Sequence, residues 1–261
     1  MEILEERILE LVKKFSGTAG IVIREATGSF MFCHNEQMLF PSASIIKLYI
    51  LWALYLKIDQ IDIDRSTLWT LSEIDKIPGY GILKDIGAGS TFSVRDLAML
   101  MITLSDNIAT NTLIDMIGVG NINKAIRETP AIKTILQRKM MDLEAIEKKR
   151  DNFTTPKDTI EILSYYLESD RLPYELRSEM MAFLKKQIYN NLLSQYMPSG
   201  FVFAHKTGDM PNVLHDAGIL YTPNNRSVLI AVLTRDFERV IDSVFFHNEI
   251  GKVIFEHFAN N

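Results

Sequence analysis

Three short groups of residues are of a kind that does chemistry together: Ser44-Ile45-Ile46-Lys47, Ser105-Asp106-Asn107 and Lys206-Thr207-Gly208. A serine hydroxyl is a poor nucleophile until a neighbouring base takes its proton. Lys47 is spaced to be that base. If the apolar run from Ile45 to Leu54 is a helix, Ser44 sits at its first turn and Lys47 one turn later on the same face. Helix N-terminal amides would favour negative charge developing near Ser44, and a lysine in apolar surroundings has its pKa lowered toward that of a base. Gly208 lets a strand backbone approach closely. Each group alone occurs by chance in many chains of this size, but their order and spacing together spell serine acyl transfer.

With its flanks, beginning Pro41-Ser42-Ala43-Ser44, the set resembles the class A β-lactamases and penicillin-binding proteins. The resemblance covers nearly the whole chain: the Ser-Asp-Asn group follows Ser44 by about 60 residues and His205-Lys206-Thr207-Gly208 by about 100 more. Phe153-Thr154-Thr155-Pro156 is similar to the segment that closes that family's omega loop, and His215 to Tyr221 to its next strand. The resemblance implies that Ser44 is the nucleophile, Lys47 its base and Ser105 a proton relay to the leaving nitrogen. Asn107 would hold a substrate amide, and Lys206, Thr207 and Gly208 a carboxylate. The backbone amides of Ser44 and Asp209 would form the oxyanion hole. Tyr80, in the glycine-rich Gly79-Tyr80-Gly81-Ile82-Leu83, would line the cleft. The implied activity is opening of a β-lactam ring through a Ser44 acyl-enzyme. Its alternatives are a penicillin-binding or sensing protein with a long-lived acyl-enzyme and a D-Ala-D-Ala-type peptidase.

Two positions depart from the family's pattern. Setting Arg138 on the family's omega-loop arginine puts Met140 where hydrolytic members have the glutamate that activates water, and Glu144 where they have an asparagine. A thioether cannot take a proton, which leaves Asp142, Glu144 or Glu147 as carboxylates that a rearranged loop would have to use. Asp209 stands where a small residue is usual; its amide still serves, and its carboxylate would repel an anionic substrate.

The elements that must hold these groups follow from periodicity. Ile3, Leu4, Ile8, Leu11 and Val12 predict a first helix ending near Gly17, and Gly20 to Arg24 and Ser29 to Cys33 predict two strands joined at Thr27-Gly28. From Ser44 to about Asn190 the pattern is helical, with Ser93 as an N-cap and Pro156-Lys157-Asp158 opening another helix. Strands return at Phe201–Lys206, Asp216–Tyr221 and Ser227–Thr234, with a turn at Pro223-Asn224-Asn225, and a helix closes the chain from Ile241 to Phe258. The expected fold is α/β (α+β): an antiparallel sheet sandwiched by helices, plus an all-helical lobe. As a single β-lactamase-like unit, 1–261 would divide into an α/β lobe (1–43 and 190–261) and a helical lobe (44–189), with first and last segments sharing one sheet.

Structural alternatives stand beside each role. Ser44 and Asn107 are both preferred N-cap residues, Trp52 and Trp69 suit a core or cleft wall, and Arg138 is either exposed or paired with Asp151 or Asn152.

Composition narrows the partners. With 47% hydrophobic and 23% charged residues, a net charge of −5 and no basic block, nucleic acid is excluded as an expected partner. The single cysteine, Cys33, rules out an intrachain disulfide. No pair of histidines has metal-ligand spacing, so no metal and no cofactor is expected. Apolar runs fall short of the ~20 residues of a membrane helix. The N-terminus is acidic where a secretory signal is basic and then apolar, which suggests a cytoplasmic protein or an exported one whose signal is absent from this chain. The expected partner is a small molecule, a β-lactam or a related amide or peptide; oligomeric state is left open.

Overall fold

The computed structural model describes residues 2–28 and 31–259. The chain opens on α1 (Glu2–Lys14) and enters two antiparallel strands, β1 (Thr18–Glu25) and β2 (Met31–His34). Gly28, at φ 75°, makes the turn between them, as its lack of a Cβ permits. Of the strand expected from Ser29 to Cys33, Ser29 and Phe30 lie outside the described residues.

After the two-residue strand β3 (Phe40–Pro41) comes α2 (Ile46–Asp59), in which every residue from Ile46 to Leu56 is buried. A helix apolar on all sides belongs in a core. Others surround it. The short strands β4 (Leu68–Thr70) and β5 (Thr91–Ser93) pair with each other and lead into α3 (Val94–Thr103), α4 (Asn107–Ile117) and α5 (Val119–Arg127), all three of which pack on α2. Ser93 caps α3 as expected: its hydroxyl accepts from the Asp96 amide while the Asp96 carboxylate accepts from the Ser93 amide, a reciprocal capping box.

The one-turn helix α6 (Leu143–Glu147) and β6 (Phe153–Thr154), which pairs with β3, precede α7 (Pro156–Glu168). Thr155 caps α7 and Pro156 begins it. Although it falls inside the stretch read as a helical lobe, α7 lies against the sheet, touching β1 and β9. Helix α8 (Tyr174–Leu184) is followed by three long strands, β7 (Val202–Met210), β8 (Val213–Tyr221) and β9 (Ser227–Arg235), and by α9 (Val240–Ala259).

The main sheet is antiparallel, in the order β2-β1-β9-β8-β7, so the first and last segments of the chain do share it. Its alternation sorts side chains between two cores. Leu229, Ala231 and Leu233 of β9 face the cluster containing α2, whereas Val228, Ile230 and Val232 face the cluster containing α1 and α9. The fold is therefore α+β, helices covering both faces of one sheet with a helical assembly beside it. β7, at the sheet's edge, carries Lys206-Thr207-Gly208. Among the described residues no helix is long and apolar enough to cross a membrane.

Candidate active site

Ser44 lies in a single 3₁₀ turn, Ala43–Ile45, just before α2, rather than in that helix's first turn. Ala43 has φ 43°, a left-handed conformation that costs a residue with a side chain free energy, and it turns Ser44 toward β7. A Cβ on Gly208 would lie only 3.2 Å from both the Ala43 Cβ and the Ser44 amide nitrogen. Any side chain there would crowd both. Ser105, between α3 and α4, is a second left-handed residue, at φ 53°. Both conformations sit where the three sequence groups meet.

The meeting point is the Ser105 hydroxyl. It donates to Ser44 Oγ at 2.8 Å and accepts from Lys47 Nζ at 3.0 Å and Lys206 Nζ at 3.1 Å. Lys47 also donates to the Ser105 carbonyl at 2.7 Å and to Asn107 Oδ1 at 3.1 Å, and Lys206 to the Thr207 carbonyl at 2.8 Å. Both lysines are completely buried. Burial pushes Lys47 well below the usual lysine range, the Lys206 ammonium pushes it further, and the Asp106 carboxylate opposes. Burial lowers Lys206 to about 7, opposed by Asp216. The hydrogen-bonded path from Ser44 to Lys47 runs through Ser105.

Asp106, rather than Asn107, caps α4. Its Oδ1 accepts from the Ala109 amide at 2.9 Å, while Oδ2 accepts from the Ile82 and Leu83 amides at 2.7 and 2.9 Å. The cap reading of Asn107 fails because Asn107 is already the helix's first residue, its carbonyl oxygen turned to Lys47. Asp106 thereby pins the loop that presents Tyr80, and Gly81, at φ 108°, is required there: a Cβ would fall 2.2 Å from Asp106 Oδ2. The sequence signal was available, an Asp immediately before a helical run.

Ser44, Tyr80, Ser105, Thr207 and Asp209 line one cleft with a volume of about 130 Å³. Sequence reasoning missed Tyr189, which also lines it and meets Tyr80 edge to face at 5.6 Å; nothing around Tyr189 marks it. It also missed a buried network behind Lys206. His205 Nδ1 meets Asp216 Oδ1 at 2.7 Å, His205 Nε2 meets Asn190 Oδ1 at 3.0 Å, and the Leu193 amide donates to Asp216 Oδ2 at 3.1 Å. Strand register brings these together, with Thr207 opposite Asp216. Trp52 is core, stacked near Tyr166, and Trp69 is partly buried against the same core.

The loop from Gln137 to Asn152 uses both partners proposed for Arg138. Asp151 Oδ1 accepts from the guanidinium at 2.7 Å, while Asn152 Oδ1 accepts from the Gln137 and Arg138 amides at 2.7 and 3.0 Å. Arg138 is buried, so the exposed alternative fails. Met140 packs into the α2 core, with its amide donating to Asn111 Oδ1 at 2.7 Å and its carbonyl accepting from Asn111 at 3.1 Å. Asp142 caps α6, Glu144 pairs with Lys148 on the surface, and Glu147 is exposed. None of these three lines the cleft. Among the described residues no group of three or more His, Cys, Asp or Glu side chains is placed to hold a metal.

The sequence model of the Beta-lactamase enzyme family matches residues 3–258. Over 268 residues the chain is 22% identical to beta-lactamase BRO-1 of Moraxella catarrhalis, an alignment covering 97% of this chain and 85% of that protein. It is 23% identical to the extended-spectrum beta-lactamase PER-1 of Pseudomonas aeruginosa, covering 90% and 80%. Among solved structures, a beta-lactamase of Sphaerobacter thermophilus matches at a TM-score of 0.90 with 27% identity, covering 99% of this chain and 97% of that one. A point mutant of PBP-A, solved as an acyl-enzyme complex with penicillin-G, matches at 0.91 with 25% identity, covering 100% and 98%.

Proposed function

The chain belongs to the β-lactamase enzyme family, with a class A fold and the chemistry of a serine β-lactamase-like hydrolase, and we propose that Ser44 forms the acyl-enzyme. The observation that carries this is the Ser105 hydroxyl, bonded at once to Ser44, Lys47 and Lys206. The Ser44 Oγ attacks the lactam carbonyl carbon. With Lys47 in its amine form, which its lowered pKa favours, the Ser105 hydroxyl turns from Ser44 to the Lys47 nitrogen and takes the Ser44 proton as it gives its own to Lys47. The oxyanion rests on the amides of Ser44 and Asp209. The C–N bond then breaks, the nitrogen takes the proton back from Lys47 through Ser105, and an ester on Ser44 remains. Lys206 and Thr207 hold the substrate carboxylate, and Asn107 its side-chain amide. An arriving carboxylate raises the Lys206 pKa and keeps it charged.

Hydrolysis of the ester needs a base for water, and here Met140 favours a second reading in which the ester is long-lived. The thioether is packed in the core, and the loop's own carboxylates cap, pair or face solvent. Acylation and deacylation are separate steps, so the first proceeds without the second. The test is incubation with benzylpenicillin, following ring opening and intact mass together. The expected outcome is a mass adduct on the wild type that persists over many minutes and is absent from Ser44→Ala. An adduct retained by Ser44→Ala overturns the nucleophile; rapid multiple turnover without adduct overturns the long-lived ester.

A further inference from the structure

Across the mouth of the cleft the Tyr80 hydroxyl donates a hydrogen bond to Asp209 Oδ2. The two residues are 129 apart in the chain, one on the loop that Asp106 pins and the other on the edge strand β7. Both are exposed and both line the cavity that contains Ser44. Burial and the neighbouring carboxylate push the Tyr80 phenol up, so it remains a donor across the working pH range. Tyr189, edge-on to Tyr80 and bonded through its own hydroxyl to the Leu104 carbonyl at 3.3 Å, holds the ring in place. The Tyr80–Asp209 bond is a contact that a bound substrate must adjoin or replace.

The charges along β7 say what replaces it. Thr207 offers its hydroxyl to a substrate carboxylate, with the buried Lys206 amine bonded to Ser105 behind it, and Asp209, two residues beyond Thr207, presents a carboxylate on the same strand and into the same cleft. Residues two apart on a strand lie roughly 7 Å from each other on one face. A ligand that spans them carries an anion at one end and a hydrogen-bond donor, best a cation, at the other. The reacting carbonyl lies between, at Ser44.

We propose that Asp209 is a specificity residue that selects acyl side chains bearing a protonated amine, with the Tyr80 hydroxyl occupying the amine's place in the free protein. This rests on the Ser44 acylation reading. It changes what Asp209 means: the carboxylate that would repel an anionic side chain attracts a zwitterionic substrate. In a partly exposed cleft the gain is that of a well-formed ion pair, roughly fivefold in rate, and it falls as salt is raised.

The experiment measures the second-order rate of Ser44 acylation, by intact mass, for benzylpenicillin and for its α-amino derivative, which differs by one ammonium group. The expected result is a preference of roughly fivefold for the amine at low salt, reduced at high salt. Asp209→Asn, an exposed isosteric change that keeps the backbone amide, brings the ratio to about one, and Tyr80→Phe, which removes the competing donor, keeps or raises it. An unchanged ratio in Asp209→Asn, or a wild type that prefers benzylpenicillin, overturns the proposal while leaving acylation intact. If neither compound labels Ser44 in any variant, the acylation reading itself fails and takes this inference with it.

Discussion

Two regions of this molecule handle their polar side chains in opposite ways. Around Ser105, a hydroxyl pair and two lysines from three distant segments are buried together and bonded to one another, at 9% exposure for Ser44, 3% for Ser105 and none for either lysine. In the loop from Gln137 to Asn152, Arg138 is buried only as the loop's own brace, paired with Asp151, the remaining charged side chains cap or face solvent, and Met140 enters the core. Burying two amines beside each other destabilises a fold unless something else retains them. The first region has the arrangement that the proposed reaction calls for, and the second the arrangement that its own folding calls for. In the proposed mechanism acylation and deacylation call on these two regions separately, and Met140 leaves the second without the carboxylate that stands there in hydrolytic members of the family.

The largest effect should come from giving the second region what it lacks. Met140→Glu places a carboxylate where the family's water-activating group would stand, and burial at this position would raise its pKa toward that of a base. General-base assistance is worth on the order of 10²-fold. The penicillin adduct should therefore shorten in lifetime by about that factor while its rate of formation changes little, measured by the decay of the adduct mass after excess drug is removed. An unchanged lifetime would mean that the loop's missing base is not what separates the two regions.

A smaller effect asks whether the regions are independent. Arg138→Met removes the buried ion pair to Asp151 and a bond to the Lys139 carbonyl. Leaving the carboxylate without its partner should cost about 2 kcal/mol of folding stability, read from the urea midpoint. Ser44 acylation should fall by much less than the corresponding factor. Besides the Met140–Asn111 bonds to α4, the regions are joined next to Ser44 by a bond from the Ser42 amide to the Asn152 carbonyl at 2.7 Å. If acylation falls in step with stability, that bond makes them a single unit and the comparison collapses.

What the sequence made legible divides along the same line. That Ser44, Lys47, Ser105 and Lys206 meet could be anticipated because the proposed roles of nucleophile, base and anchor demand particular residue types in a particular order. The long elements could be read because their apolar runs are long, as in α2 and β7 to β9. Asp106 was overshadowed by its neighbour Asn107, since both are cap residues and a one-residue shift decides which caps. The His205–Asp216 pair depends on strand register, and the Tyr80–Asp209 bond on a loop fold set by Asp106; neither leaves a local pattern. The pairings of β3 with β6 and β4 with β5 involve two or three residues each, too few for a period-2 signal.

The smallest effect is one of pH, and it sets the reaction against the fold within the first region. Lys206 has its pKa lowered to about 7 by burial, from an ordinary 10.5. As pH rises past 7 the folded protein loses that proton while the unfolded chain keeps it until about 10.5, so the unfolded state binds more protons and stability rises with pH over that window. Lys47, lowered by burial and by Lys206, acts in the same direction. His215, lowered to about 4, has finished titrating below this range. Carboxylate binding requires the ammonium, so acylation by the free protein should fall roughly fivefold between pH 7 and pH 8 while the urea midpoint climbs. Lys206→Met should make the midpoint less dependent on pH between 7 and 9 and higher than wild type at pH 7, with acylation lost. A midpoint slope unchanged by Lys206→Met would mean that the buried amine is not a strained group kept for the reaction, and that the two regions differ less than their geometry implies.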